Sequence, residues 1–566
     1  MSNARLVVFL AGLALAWLIF GPASWPLAGL AVPALVFFGL VVFHDRVIQR
    51  RRRVERSISF YEQGLARLDD RWQGSGEGGA HFLDPAHPYA TDLDLFGDAS
   101  LFQLLCTAQT QGGEEMLADW LREPAPVAVI RERQEAAAEL KGRLDLREEL
   151  AMLGSDARGR LHPRRLREWG GRPPLPGLER LRAVSFVISL LPPAAAVLGF
   201  STGIGFFPFT GALVLALSFR LFVQRQAEKL LGASERSVRD LALFSSLLAR
   251  FERERFGAKR LATLRAKLDV GGLPPSESVA ALMRLENLLD ARRHQFFAPI
   301  ALVLLWEIQF ALAIEVWRVR HGPHLGDWID AISELEALVD IGGYSFEHPD
   351  DPFPELVEEG PLFDGEQIGH PLLPAASCVR NDVHLGREKQ LLIVSGSNMS
   401  GKSTLLRTLG TSTVLAQAGA PVRARRLALS PLAVGASIRI NDSLQEGTSR
   451  FYAEIKRIAQ LIEMAGADRP LLFLLDEVLH GTNSHDRRIG AEAVATGLVE
   501  RGAVGLVTTH DLSLAKIAET LAPRAENVHF EDHLEDGRIR FDYKMRPGVV
   551  EKSNALELMR TVGIRV

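Results

Sequence analysis

Only two cysteines, Cys106 and Cys378, occur in 566 residues. That excludes a disulfide framework and suits a reducing compartment for the bulk of the chain. Neither sign of charge is in excess: 65 Lys and Arg stand against 69 Asp and Glu, a net charge of −4. That balance carries no global basic signal for nucleic acid. Charge is also missing locally. Residues 6–43 and 183–219, runs of 38 and 37 residues, contain no Asp, Glu, Lys or Arg. Each run is too long for one ordinary membrane span of about 20 residues. The length of the chain suggests two to four domains.

Both uncharged runs are broken near the middle, the first by Gly21, Pro22 and Pro26, the second by Pro192, Pro193, Gly203 and Gly205. Such residues interrupt helices, so each run reads as a transmembrane helical hairpin. Arg46, Arg50, Arg51, Arg52, Arg53 and Arg56 follow the first run; Arg180 and Arg182 precede the second, and Arg220 and Arg225 follow it. Basic flanks of this kind face the cytoplasm. The expectation is a multi-pass protein of the cytoplasmic membrane with its termini inside. Residues 6–20 behind Arg5 also fit a signal peptide, and the second run also fits a buried helical pair. A third apolar run, residues 296–306, has eleven residues and suits a core or interfacial helix.

Between the runs lie charged, Leu- and Ala-rich helical stretches at 114–154, 226–268, 276–293 and 327–338. The Pro-rich segment 349–354 marks a boundary. Beyond it, short apolar runs at 391–394, 471–475 and 504–507 alternate with helical patterns, the texture of a parallel α/β sheet.

The run 391–394 leads into Gly396, Ser397, Asn398, Met399, Ser400, Gly401, Lys402, Ser403 and Thr404, a G-x-x-x-x-G-K-S pattern that opens a helix. The glycines let backbone N–H groups turn around phosphate oxygens, Lys402 reaches the β- and γ-phosphates, and the Ser403 hydroxyl is a ligand for Mg²⁺. The run 471–475 ends in Asp476 and Glu477. Asp476 suits the Mg²⁺ shell, and Glu477 suits the base that polarises the attacking water. The run 504–507 ends in Thr508, Thr509 and His510, and a histidine there suits a γ-phosphate sensor. ATP with Mg²⁺ is the expected cofactor pair, and Glu477, Lys402 and His510 are the catalytic candidates.

These residues resemble one family. The stretch 396–404 (GSNMSGKST) is similar to the P-loop of MutS mismatch-repair ATPases; 476–483 (DEVLHGTN) resembles its D-E-x-x-x-G-T; 508–510 resembles its T-H switch. Ser449, Phe451 and Glu454 resemble its S-x-F-x-x-E signature, and His370, Pro371, Asn381 and Asp382 its lead-in to the nucleotide. The family's aromatic base-stacker is replaced here by Cys378, which leaves Val379 as the apolar candidate against adenine. Residues 95–140 and 327–353 resemble the family's helical lever.

The resemblance implies an α/β P-loop ATPase with an ABC-like, mostly parallel sheet, preceded by an α-helical lever domain that the transmembrane hairpins interrupt. The expected domains are a hairpin with its basic flank (1–56), the first half of the lever (57–182), a second hairpin (183–223), the second half of the lever (224–348) and the ATPase (349–566). It also implies a homodimer with composite ATP sites, in which Ser449 approaches the γ-phosphate held by the partner. No segment ahead of the lever has room for the family's mismatch-sensor domain. The functional expectation is a membrane-anchored, DNA-binding, mismatch-repair-type ATPase without mismatch preference. The alternative is an ATP-driven conformational machine acting on a membrane-bound protein or lipid partner. An ABC-type exporter fits less well, because L-S-G-G-Q is absent.

Overall fold

The computed structural model describes residues 2–20, 27–155, 162–269, 272, 274–295, 297–397, 399–439, 450–535 and 538–550. Two units are distinguished, Met1–Ala66 and Arg67–Val566. In the first, helix α1 (Ser2–Phe20) and helix α2 (Ala31–Leu68) carry the first uncharged run. The Phe9 and Phe37 rings lie tilted with centroids 6.3 Å apart, and a Cβ on Gly12 would lie 3.6 Å from Pro33. Later residues of α1 thus meet earlier ones of α2, so the two helices pack antiparallel. The α2 helix continues without a break through the Arg cluster, well past residue 56. Its apolar residues Val32, Leu35 and Phe38 are exposed.

The second unit begins with a helical part. Helices α3 (Leu101–Leu105), α4 (Gln111–Arg122), α5 (Val127–Lys141), α6 (Leu144–Gly154) and α7 (Pro163–Gly170) lead to the hairpin of α8 (Leu178–Thr202) and α9 (Phe207–Glu252). Then follow α10 (Lys259–Lys267), α11 (Pro275–Asp290), α12 (Ala298–Val303), α13 (Trp306–His321) and α14 (Leu325–Glu347). Gly203 and Gly205 take positive φ at the hairpin tip, where glycine costs nothing. Among the described residues, three helices are long and apolar enough to cross a membrane by length and composition: α2, α8 and α9. Phe200, Phe207 and Phe222 are 93%, 86% and 80% exposed. The run expected as one helix at 296–306 is split between α12 and α13 because Leu305 adopts φ 49°; Leu305 and Ile308 are buried in the cluster formed by α8, α9 and α13.

Helix α14 is the spine of this part and is buried along most of its length, Trp328 and Tyr344 included. Its carboxylates hold the loop before α4. Asp340 accepts from the N–H and hydroxyl of Thr107 at 2.8 and 2.5 Å, and Glu336 accepts from the Gln109 N–H at 3.1 Å. Thr110 caps α4 by accepting from the Gly113 N–H at 3.1 Å. A Cβ on Gly113 would strike the Glu336 side chain at 2.5 Å, so glycine here permits the close approach of α4 to α14.

The described residues of the remaining chain form two sheets. The smaller has strands β1 (Glu355–Leu356), β5 (Arg426–Leu429), β2 (Phe363–Ile368) and β3 (Asn381–Leu385), in that spatial order. The larger has the order β10-β9-β4-β8-β7-β6, from Arg538–Pro547, Ala525–Glu535, Leu391–Ser395, Val504–Thr509, Leu471–Leu475 and Ala433–Ser437. All its neighbours are parallel except β10. Strands β4, β7 and β8 are buried throughout, as strands covered on both faces must be. Helix α15 (Lys402–Ala418) follows β4; α16 (Arg450–Met464), α17 (Ser484–Glu500) and α18 (Lys516–Thr520) complete the domain.

Candidate functional site

Strands β4, β7 and β8 are adjacent and parallel, so the residues after them meet at one edge of the sheet, where open α/β sheets bind ligands. After β4 the chain turns through Gly396 (φ 152°) and Gly401 (φ 107°). Gly401 precedes α15 directly, so that helix presents its N-terminus to the loop. Lys402 is 5% exposed, and its Nζ donates to the carbonyls of Gly396 and Ser397 at 2.9 and 2.8 Å. Burial lowers its pKa, opposed by the carboxylates of Glu477 and Asp476. Ser400 is buried, and its N–H donates to the Ser397 carbonyl at 3.3 Å. Met399 is 83% exposed. Asn398 and Ser449 lie outside the described residues.

Ser403 Oγ donates to Asp476 Oδ2 at 2.5 Å, and the Thr508 hydroxyl donates to the other Asp476 oxygen. Thr508 Oγ1 also accepts from the Glu477 N–H at 3.1 Å. One threonine at the end of β8 thus fixes both acidic residues at the end of β7. Glu477 takes φ 48°, an uncommon conformation for a side-chain-bearing residue that turns its carboxylate out of the strand line. His510 Nδ1 stands 3.4 Å from Glu477 Oε1. Ser403 and Asp476 offer hard oxygen donors at hydrogen-bond separation, the set that Mg²⁺ prefers.

Beside the loop lies a cavity of about 650 Å³ lined by Val379, Leu373, Asn381, Lys402–Leu405, Glu477 and Tyr543 among others. Val379 is among its lining residues and Cys378 is not; the Cys378 sulfur is directed at Gly369. Tyr543 was not indicated by any motif. It sits at a register shift in the β9–β10 ribbon, with φ 56°, and Asn381 holds it by donating to the Tyr543 carbonyl at 3.0 Å and accepting from the Met545 N–H at 2.8 Å. Its ring lies 3.2 Å from where a Cβ on Gly401 would be. His370 is buried further back, and burial with the nearby Arg407 and Arg423 lowers its pKa to about 4.

The signature after Ser449 acts on the loop that follows β7. Glu454 accepts from the Leu479 N–H, and Phe451 packs against Gly481. Sequence reasoning also missed Asp92, which accepts from the N–H groups of Ile438 and Arg439 at 2.7 and 2.6 Å, while Arg407 of α15 donates to the Asp92 carbonyl at 3.1 Å. Only long-range folding brings Asp92 there. On α7, Arg165 pairs with Asp240 at 3.1 Å and the half-exposed Arg167 with Asp330.

The sheet order, the glycine loop and the Ser403–Asp476 pair define a P-loop nucleotide-binding domain. Residues 392–565 match MutS domain V, the ATPase domain of the MutS family. Among similar proteins, the endonuclease MutS2 of Thermus thermophilus is 34% identical over 203 residues, 34% of this chain and 25% of that protein. The DNA mismatch repair protein MutS of Geobacillus kaustophilus is 30% identical over 271 residues, 46% of this chain and 29% of that protein. That of Natronomonas pharaonis is 31% identical over 238 residues, 41% and 27%. The chain therefore spans between a quarter and a third of the length of these relatives.

Proposed function

We propose that this chain is a membrane-anchored, MutS-type ATPase in which ATP binding and hydrolysis at the Gly396-to-Thr404 loop move the helical part. The observation that carries the reading is the convergence of Lys402, Ser403, Asp476, Glu477 and His510 at the ends of three adjacent strands. Phosphate oxygens would replace the two carbonyls as acceptors for Lys402 and return charge to a desolvated ammonium. Ser403 and Asp476 would hold Mg²⁺, which supplies charge neutralisation on the phosphates. Glu477 accepts a proton from the attacking water, and His510 orients the carboxylate or senses the γ-phosphate. Dimerisation, with Ser449 completing the partner's site, belongs to the same reading.

Two observations support coupling. Helix α15 packs against α4 and α5, and a Cβ on Gly419 at its end would strike Arg133 of α5 at 2.7 Å. The phosphate-binding helix therefore cannot shift without moving the helical part. DNA as the target is supported by the names of the relatives. A membrane-bound protein or lipid target is the second reading, favoured by the exposed apolar surface of α8 and α9. Titration of the detergent-solubilised protein with paired, mismatched and branched DNA separates them.

The enzymatic core is tested by two substitutions. Lys402→Ala is expected to abolish nucleotide binding, because Lys402 meets phosphate in the ground state. Glu477→Gln is expected to keep binding and lower turnover at least 100-fold, within the range typical of a lost proton acceptor. Equal and mild effects of both on hydrolysis would sink the assignment.

A further inference from the structure

Glu477 has a second neighbour that the hydrolytic reading does not use. His480, at an open position of the D-E-x-x-x-G-T loop, places Nδ1 3.8 Å from Glu477 Oε2, while His510 Nδ1 is 3.4 Å from Glu477 Oε1. One ligand atom from each of the three residues lies within 4.8 Å of the others. We propose that Glu477, His480 and His510 form a site for a borderline transition-metal ion, zinc first, whose binding seizes the Glu477 carboxylate and arrests ATP turnover. The inhibitory half of this inference rests on the reading of Glu477 as the group that acts on water.

The geometry is close to what such an ion needs. Tetrahedral zinc with bonds of about 2.0–2.1 Å sets its ligand atoms about 3.3–3.4 Å apart. The two contacts, 3.4 and 3.8 Å, run to different oxygens of Glu477, and the three ligand atoms lie within 4.8 Å of one another, so rotation of the side chains is needed to draw them onto one ion. Both contacts are long for N–H···O hydrogen bonds, so neither imidazole is committed to the carboxylate by one. The two rings stand edge to face, centroids 5.4 Å apart at 69°. Glu477, His480 and His510 are 31%, 48% and 42% exposed at their side chains, so an aqueous ion reaches them directly.

The supporting frame is built. Glu454 fixes the Leu479 N–H, and Arg487 donates to the carbonyls of Leu479, His480 and Thr482 at 3.2–3.3 Å. On the other side, the Asp511 N–H donates to Thr509 Oγ1 at 2.9 Å. The donor chemistry separates this site from the nucleotide's own cation: two imidazoles and one carboxylate suit zinc and other borderline transition metals, whereas Ser403 and Asp476 offer only oxygen. Three protein ligands leave a fourth position to water. A carboxylate bound to the ion is less basic and is held by the metal, so it no longer takes a proton from the attacking water, while the phosphate loop at Lys402 stays untouched.

The test uses the full chain in detergent, free of nucleotide, and zinc chloride titrated against a chromophoric chelator. The expected result is one zinc per chain, with His480→Ala weakening binding at least tenfold, since losing even a group behind a ligand costs about 10–100-fold. His480→Ala should turn over Mg-ATP normally in zinc-free buffer and resist added zinc, whereas the parent stops and recovers with chelator. Equal zinc affinity in parent and variant, or zinc binding that leaves the parent's turnover intact or raised, overturns the proposal. Glu477→Gln assayed without zinc keeps the two ideas apart. If it still hydrolyses ATP, the role of Glu477 in hydrolysis falls, while the zinc titration still decides the site.

Discussion

Tyr543 shows how a single residue can define a pocket that no motif announces. Its ring stands over Gly401 on the wall of the cavity that Val379 shares, where a flat base would enter. Stacking a base on an aromatic ring contributes about 1–3 kcal/mol. Tyr543→Ala is therefore expected to raise the KM for ATP about tenfold with kcat little changed, and Tyr543→Phe to behave as the parent; an unchanged KM in the alanine variant would remove Tyr543 from the base pocket. The phosphate loop itself was legible in the sequence, because its chemistry needs fixed residues at fixed spacing. Thr508 was visible only as part of a strand end. That it would brace both Asp476 and Glu477 depends on the adjacency of β7 and β8, which spacing along the chain does not encode.

At the scale of elements, α14 carries the most telling chemistry. Burial raises the pKa of Glu336 from 4.5 to about 7, and Asp340 is raised for the same reason. Folded, Glu336 keeps its proton up to about pH 7; unfolded, it loses it near 4.5, so its contribution to stability falls as pH rises through that window. His370 works in the opposite sense. Burial lowers it from 6.5 to about 4, so its contribution is complete above about 6.5 and is lost as pH falls toward 4. Glu336→Gln removes the first dependence alone. Relative to the parent, the variant should gain about 3 kcal/mol between pH 4.5 and 7, from a shift of about 2.5 units at 1.36 kcal/mol each. Melting temperatures of both proteins at pH 5 and pH 8 measure this, and a difference that does not change with pH refutes it. Periodicity made the helices of this part readable, and it made the uncharged runs stand out. It did not reveal the continuity of α2 past the Arg cluster, since charge and apolarity share one helix there, nor the break at Leu305, which packing against α8 and α9 imposes.

For the whole molecule, two outcomes are expected. If α8 and α9 cross the membrane, Thr202→Cys in a cysteine-free background should react with an impermeant reagent in intact cells, and Arg425→Cys only in broken ones. Labelling of Arg425→Cys in intact cells would exclude a cytoplasmic ATPase domain. The second outcome concerns DNA. Between α2 and α3 the described chain has one short turn of 3-10 helix, Ala80–Phe82, and no strand. Unstacking a base step costs a few kcal/mol and needs a rigidly aimed wedge, which this segment does not supply. Any DNA affinity should be dominated by phosphate contacts, fall steeply with salt and favour mismatched over paired DNA by less than tenfold, about 1.4 kcal/mol. A larger preference at physiological salt would contradict this.

Helix α9 has a mechanical consequence. It is a single rod of 46 residues, roughly 70 Å long at about 1.5 Å per residue. One end is sheathed in exposed phenylalanine and leucine, while Phe244, Leu248 and Phe251 near the other are locked into the core beside α14. Its first half is packed on α8 and α13 through Ala216, Val223 and Ala227, so these helices would move with it, and a tilt of about 5° at the end beside α14 sweeps the far tip through roughly 6 Å, given that length. Displacements too small to alter packing around α14 would therefore arrive at Gly203 as movements comparable to a full turn of helix.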